Sequence, residues 1–333
     1  MTAAPGGASD ATARLARAGS WRPWELAFWA LALASCFLLP SKLLLLNDIA
    51  ILALFALSLD LLLGYAGIVS LGHAAFFGFG AYAAGLFAIH VSPDPVPGLL
   101  ASAFAAGILG FATSFLVLRG SDLTRLMITL GVALMLYELA NRVAWLTGGA
   151  DGLTGMTVGP VLGLFEFDMW GRTAYLYSLA VLFLATLAAR RLVRSPFGLS
   201  LRAIKGNPLR ASSIGIQPER RLVAVYTVAA IYAGLAGALL AQTTQFVSLD
   251  VLAFHRSADG LLVLVLGGSG YLYGGLFGAV VFKVMHDWIS ALTPQYWLFW
   301  IGLFLVVVVM VGRDRLLGWP RALVARLGTA RAP

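Results

Sequence analysis

Long apolar runs dominate this chain, in place of the alternation of a half-buried strand or the single stripe of a surface helix. Segments 98–118, 175–189, 222–247 and 296–312 contain no charged residue at all. A helix needs roughly 20 mostly apolar residues to cross a bilayer, and these runs, with several more that carry one or two charges, supply it repeatedly. The pattern predicts crossings near 24–40, 43–63, 66–91, 98–118, 126–146, 174–190 and 222–245, with further apolar chain at 258–292 and 296–312. The expected fold is therefore all-α, a polytopic membrane helical bundle of about 8–10 segments, some of them broken or re-entrant.

Composition removes the soluble alternative. The chain has 333 residues, 60% hydrophobic and 11% charged, with a mean hydropathy of +0.88. A soluble domain carries about a quarter charged residues because it needs a polar skin, so this surface must face lipid. The net charge of +8 could suggest nucleic acid, but the cations are not spread as such a footprint. Of 23 Lys and Arg, three lie in the N-terminal tail, five between Arg313 and Arg331, and eight between Arg190 and Arg221. Clusters just outside apolar segments mark the cytoplasmic side, and nucleic acid is not an expected partner. This predicts an N-terminal cytoplasmic tail (1–23), a membrane domain (24–312) with a cytoplasmic loop at about 191–221, and a basic cytoplasmic tail (313–333). The single cysteine, Cys36, excludes an intrachain disulfide, and no spacing of His, Cys, Asp or Glu suggests a metal site.

Parity sharpens the topology. Seven crossings from an inside N-terminus leave the chain outside near 245–255, and a basic inside C-terminus then requires an odd number of further crossings. Two apolar segments remain, so 258–292 is expected to enter and leave on one side, or to cross twice as short helices. Its interior, Gly267-Gly268-Ser269-Gly270-Tyr271-Leu272-Tyr273-Gly274-Gly275, suits a break, since glycine weakens helices and reaches backbone shapes closed to other residues.

Three stretches together carry a resemblance covering most of 43–318. The first runs from Asp60 through Gly64-Tyr65-Ala66-Gly67 and Ser70-Leu71-Gly72-His73-Ala74 to Tyr82. The second is Ser195-Pro196-Phe197-Gly198-Leu199-Ser200-Leu201-Arg202-Ala203-Ile204-Lys205, followed by Ala211 and Gly215-Ile216. The third is Ala233-Gly234-Leu235-Ala236-Gly237-Ala238, followed by Leu266-Gly267-Gly268-Ser269-Gly270. The chain resembles the LivM-type permease subunits of branched-chain amino acid ABC importers. The resemblance implies a non-enzymatic subunit of the bacterial inner membrane that forms a translocation path. Its implied partners are a related permease, two cytoplasmic ATPases and a periplasmic binding protein. ATP is then used by the partner subunits, and the chain itself takes no cofactor. The residues agree: a phosphate-binding P-loop needs Gly-Lys-Ser/Thr, and Lys42, Lys205 and Lys283, the only lysines, follow no glycine. The departures Asp60, where the family usually has Asn, and Ile68, where it has Gln, leave the cargo open between branched-chain amino acids and urea, short amides or aromatic acids. An ion-driven secondary transporter is the reading from another class.

Within the basic loop, 199–213 mixes cations with Leu201, Ile204 and Leu209 at roughly helical spacing; Pro196 suits a helix start and Pro208 a stop or kink. The resemblance implies ATPase coupling through Arg202, Ala203, Ile204, Lys205, Ala211, Gly215 and Ile216. Read alone, the loop would equally suit anionic lipid. The expected path residues are Asp60, Gly64, Tyr65, Gly67, Ser70, His73, Gly267, Gly268, Ser269 and Gly270, because transporter sites often form at paired broken helices and intramembrane charge marks function. Asp60 and His73 also admit purely structural roles. Glu138–Arg142 and Lys283–Asp287 have i,i+4 spacing and are expected as ion pairs. Trp21, Trp24, Trp29, Tyr296, Trp297 and Trp300 read as interface anchors.

Overall fold

The computed structural model describes residues 23–168 and 170–292, with scattered positions between 295 and 310. The expected apolar segment 296–312 and both tails thus lie largely outside the described residues. The described chain forms helices α1 (Pro23–Leu38), α2 (Leu43–Leu59, continued as a π-turn over Asp60–Ala66), α3 (Ala74–His90), α4 (Pro95–Val117) and α5 (Asp122–Arg142). After an irregular segment follow α6 (Arg172–Arg194), the short α7 (Pro196–Gly206) and α8 (Pro208–Ser213), α9 (Pro218–Thr244), α10 (Phe254–Gly267) and α11 (Gly274–Leu292). Six of the described helices are long and apolar enough to cross a membrane, and α1 and α3 are shorter apolar helices. This is an all-α multi-pass membrane protein.

Helix starts follow local chemistry. Proline opens α4, α7, α8 and α9, where its missing N–H costs nothing. Asp94 caps α4 by accepting from Val96 N at 3.1 Å, and Asn207 caps α8 by accepting from Arg210 N at 3.0 Å. Pro208 therefore does more than stop α7: it begins a second helix.

Two expected boundaries move. The crossing expected at 66–91 begins only at Ala74, because α2 runs on to Ala66 and Gly67 ends it at φ 76°, a left-handed shape that suits glycine. The segment 258–292 forms the expected pair of helices as an antiparallel hairpin. Gly267 lies against Gly274 and Gly278 against the carbonyl of Val263, and the tip turns through Gly268 (φ 91°) and Gly270 (φ 81°).

The centre is α9, packed against α2, α3 and α4. Small residues let these backbones touch: Gly234 meets Gly80, Gly237 meets the carbonyl of Phe77, and Gly110 meets Ala230. Ser102 ties three helices together, donating towards Gly80 O (2.7 Å) and Gly234 O (3.0 Å). The polar contacts sort into two ends. Glu25, Arg190, α7, α8 and the hairpin tip share one. Lys42, Asp48, Pro95, Gln242, Asp250 and Asp287 share the other, where Leu153 and Val247 form an isolated antiparallel bridge.

Candidate functional site: the junction of two broken helices and a basic loop

The π-turn at the end of α2 and the hairpin tip leave backbone groups without helical partners, and burial makes an unmet group costly. At this point the two breaks meet. Asp60 Oδ1 accepts from Gly270 N at 2.7 Å, joining residues 210 apart in sequence. Lys205, the last cation of α7, donates Nζ to Gly64 O at 2.7 Å. Its aliphatic stem lies over Gly67, and the Arg202 guanidinium sits over the Tyr65 ring, 5.3 Å from its centroid. One face of α7 thus holds the end of α2, while α2 holds the hairpin tip.

The expected path residues divide into two groups. Asp60, Gly64, Tyr65, Gly67, Gly268 and Gly270 gather at this junction. Ser70 and His73 sit deeper: His73 shares a 2.9 Å hydrogen bond with Ser58 and packs against Phe55 and Phe76, and Ala74 N donates to Ser257 Oγ on α10 at 2.8 Å. Ser269 is exposed at the tip, and Gly267 closes α10 against α11. Asp60, Gly64, Tyr65, Ser70 and His73 are all buried, so the junction is packed shut in this conformation.

The basic loop also divides by face. Leu201, Ile204 and Ala211 are buried in the bundle, Ile204 being only 3% exposed, and Ala203 and Ile216 are half-buried. Arg202, Lys205, Arg210 and Gly215 are exposed, and the apolar side chains offered outward are Leu199, Leu209 (78% exposed) and Ile214. The helical spacing of Leu201, Ile204 and Leu209 therefore covers two surfaces, since α7 and α8 are separate helices with separate faces.

Of the two expected ion pairs, Glu138–Arg142 forms at 2.6 Å on an exposed face of α5. Lys283–Asp287 does not form. Lys283 instead reaches Asp48 on α2 at 2.9 Å, and Asp287 reaches Lys42, just before α2, at 3.4 Å. Sequence reasoning also missed a cavity of about 400 Å³ at the end of the bundle opposite α7, between α2, α9, α10 and α11. Asp48, Asp250, Arg256, Asp259 and Lys283 rim it. The sequence offers little signal for it, since Asp259 stands beside His255, Arg256 and Ser257 in the polar first turns of α10, unlike Asp60 in its apolar run. Among the described residues no group of three His, Cys, Asp or Glu side chains is placed to hold a metal.

The bundle, its broken hairpin and its projecting basic helices define a transport permease. Residues 42–310 match the family of branched-chain amino acid transport system permease components, and the chain belongs to that family. It is 28% identical over 298 residues to the high-affinity branched-chain amino acid transport system permease protein LivM of Escherichia coli K12, covering 80% of this chain and 68% of that protein. To the corresponding LivH of Salmonella typhimurium it is 25% identical over 282 residues, covering 80% of this chain and 91% of that protein. The ribose import permease RbsC of Bacillus subtilis is 27% identical over 172 residues, 47% of this chain and 53% of that protein. The LivM matches span about two thirds of those relatives' own length. No solved structure matches the chain.

Proposed function

We propose that this chain is one of two related membrane subunits of an ATP-driven importer for branched-chain or similar apolar amino acids. It lies in the bacterial inner membrane with both ends cytoplasmic, receives cargo from a periplasmic binding protein, and leaves nucleotide hydrolysis to separate ATPases. The similarity to both LivM and LivH supports a related permease as the second subunit. The clustering of Arg190–Arg221 on and around α7 and α8 supports the orientation.

The observation that carries the reading is the bond from Lys205 to Gly64 O. It ties a helix projecting from the bundle to a broken membrane helix, so a motor gripping α7 and α8 has a direct handle on buried backbone. The exposed Leu199, Leu209 and Ile214 give such a motor an apolar grip.

The test is ATP-dependent leucine uptake into proteoliposomes carrying the full complex. Leu209→Asp should abolish uptake while the subunit stays inserted and folded, because the side chain touches little of its own chain. Uptake by the isolated chain, insensitive to orthovanadate and lost with an ionophore, would replace this reading with an ion-driven carrier.

A further inference from the structure

The cavity between α2, α9, α10 and α11 combines an apolar surface with a charged one. Its floor is apolar, with Ile51, Leu52, Phe55 and Phe282, and its rim is charged on several sides. At about 400 Å³ it falls in the size range of small-molecule sites.

The rim charges do not cancel internally. Lys283 is paired with Asp48 at 2.9 Å. Arg256 donates through Nε and Nη2 to Asp250 Oδ2 at 3.2 and 3.0 Å, and His255 Nε2 lies 3.0 Å from Asp250 Oδ1. Asp259, half-buried on the same face of α10, has no hydrogen-bond or ion-pair partner among the described residues. Arg256, His255 and Lys283 lie near enough to act on its charge, but none bonds it directly. A half-buried carboxylate without a hydrogen bond is costly, and a cation entering the cavity can supply one. Lys283 carries three donors, so its bond to Asp48 leaves donors for a second carboxylate.

We propose that this cavity binds a zwitterionic amino acid with an apolar side chain: Asp259 receives the ammonium group, Lys283 the carboxylate, and the floor the aliphatic tail. The assignment rests on the reading of the chain as an amino-acid permease. It adds a site within one subunit, at the end of the bundle away from the basic loop.

The experiment uses the assembled complex, without binding protein, carrying Thr244→Cys, an exposed cavity-lining position outside the proposed contacts, in a Cys36→Ala background. N-ethylmaleimide labels the new thiol, and L-leucine is added at millimolar concentration. Leucine should slow labelling several-fold, whereas 4-methylpentanoate, which lacks the ammonium, and isoamylamine, which lacks the carboxylate, should each protect far less. Asp259→Asn should abolish protection, and Asp287→Asn, whose residue lies outside the cavity, should leave it intact. Protection by native Asp259 is measured without the Asn variant, so a folding defect in that variant does not blunt the test. Equal protection by isoamylamine and leucine would overturn the proposal in favour of a simple cation site. Absent protection in a complex that still takes up leucine with ATP would remove the cavity site and leave the proposed function standing. A wild-type complex that takes up no amino acid would remove the proposed function itself.

Discussion

The pair Glu25–Arg190 offers the sharpest test of how the bundle closes. Glu25 lies in the first turn of α1, where it complements the helix dipole, and Arg190 lies just before the last turn of α6. Glu25 Oε2 and Arg190 Nη1 lie 2.6 Å apart, and the side chains are only 4% and 7% exposed. Arg194 adds a longer contact to the same carboxylate at 3.9 Å. An exposed pair would contribute about 0–1 kcal/mol. Breaking a buried pair from one side costs about 3–5 kcal/mol, because a charge then stays desolvated without its counter-ion. Glu25→Leu is therefore expected to destabilise the bundle by about 3–5 kcal/mol, the more so because Arg190 and Arg194 then repel each other. Glu25→Leu with Arg190→Met removes both buried charges and should recover most of that loss. The assay is reversible unfolding in mixed micelles with increasing dodecyl sulfate, followed by tryptophan fluorescence, for the wild type, both single variants and the double variant. A loss under about 1 kcal/mol for Glu25→Leu would place the pair in water. A double variant as unstable as the single one would show that charge burial is not the cause.

Asp60→Asn keeps an acceptor for Gly270 N and removes a membrane carboxylate, so leucine uptake and stability should be retained; Asp60→Leu strands that N–H and should cost about 1–3 kcal/mol with loss of uptake. Parallel micelle unfolding and uptake assays separate the two variants. Gly237→Ala would drive its methyl into the carbonyl of Phe77, a rigid backbone contact, and should destabilise by about 1–3 kcal/mol. Gly107→Ala meets only the flexible end of Ile231 and should survive heating in detergent nearly as well as the wild type.

The spans were legible because lipid demands long apolar runs, and nothing else in the chain produces them. The helix pair at α10 and α11 was legible from glycine content and the parity of the basic tails, and the start of α7 from Pro196. The boundary between α2 and α3 was not. A π-turn keeps Gly64–Ala66 helical, and helix-breaking residues mark where a break is allowed without showing which peptide takes it. Charge partners were missed for a related reason. The i,i+4 argument sees one helix, yet Lys283 finds Asp48 on α2 and Asp287 finds Lys42.

One physical rule would have brought more of the site into view. Each break at membrane depth leaves donors and acceptors that must be met inside the protein. Among the expected path residues only Asp60 carries a carboxylate able to meet a stranded N–H, and Lys205 is the only lysine in the basic loop. They are the groups that meet Gly270 N and Gly64 O. Read this way, Asp60 and Lys205 are the partners that two glycine breaks require. Backbone need accounts for Lys205 and for one oxygen of Asp60, whose Oδ2 stays buried without a hydrogen-bond partner. Asp259 differs, because its carboxylate bonds no backbone group among the described residues and faces the cavity beside Arg256, His255 and Lys283. Its opening onto the cavity is what directs the search for cargo there.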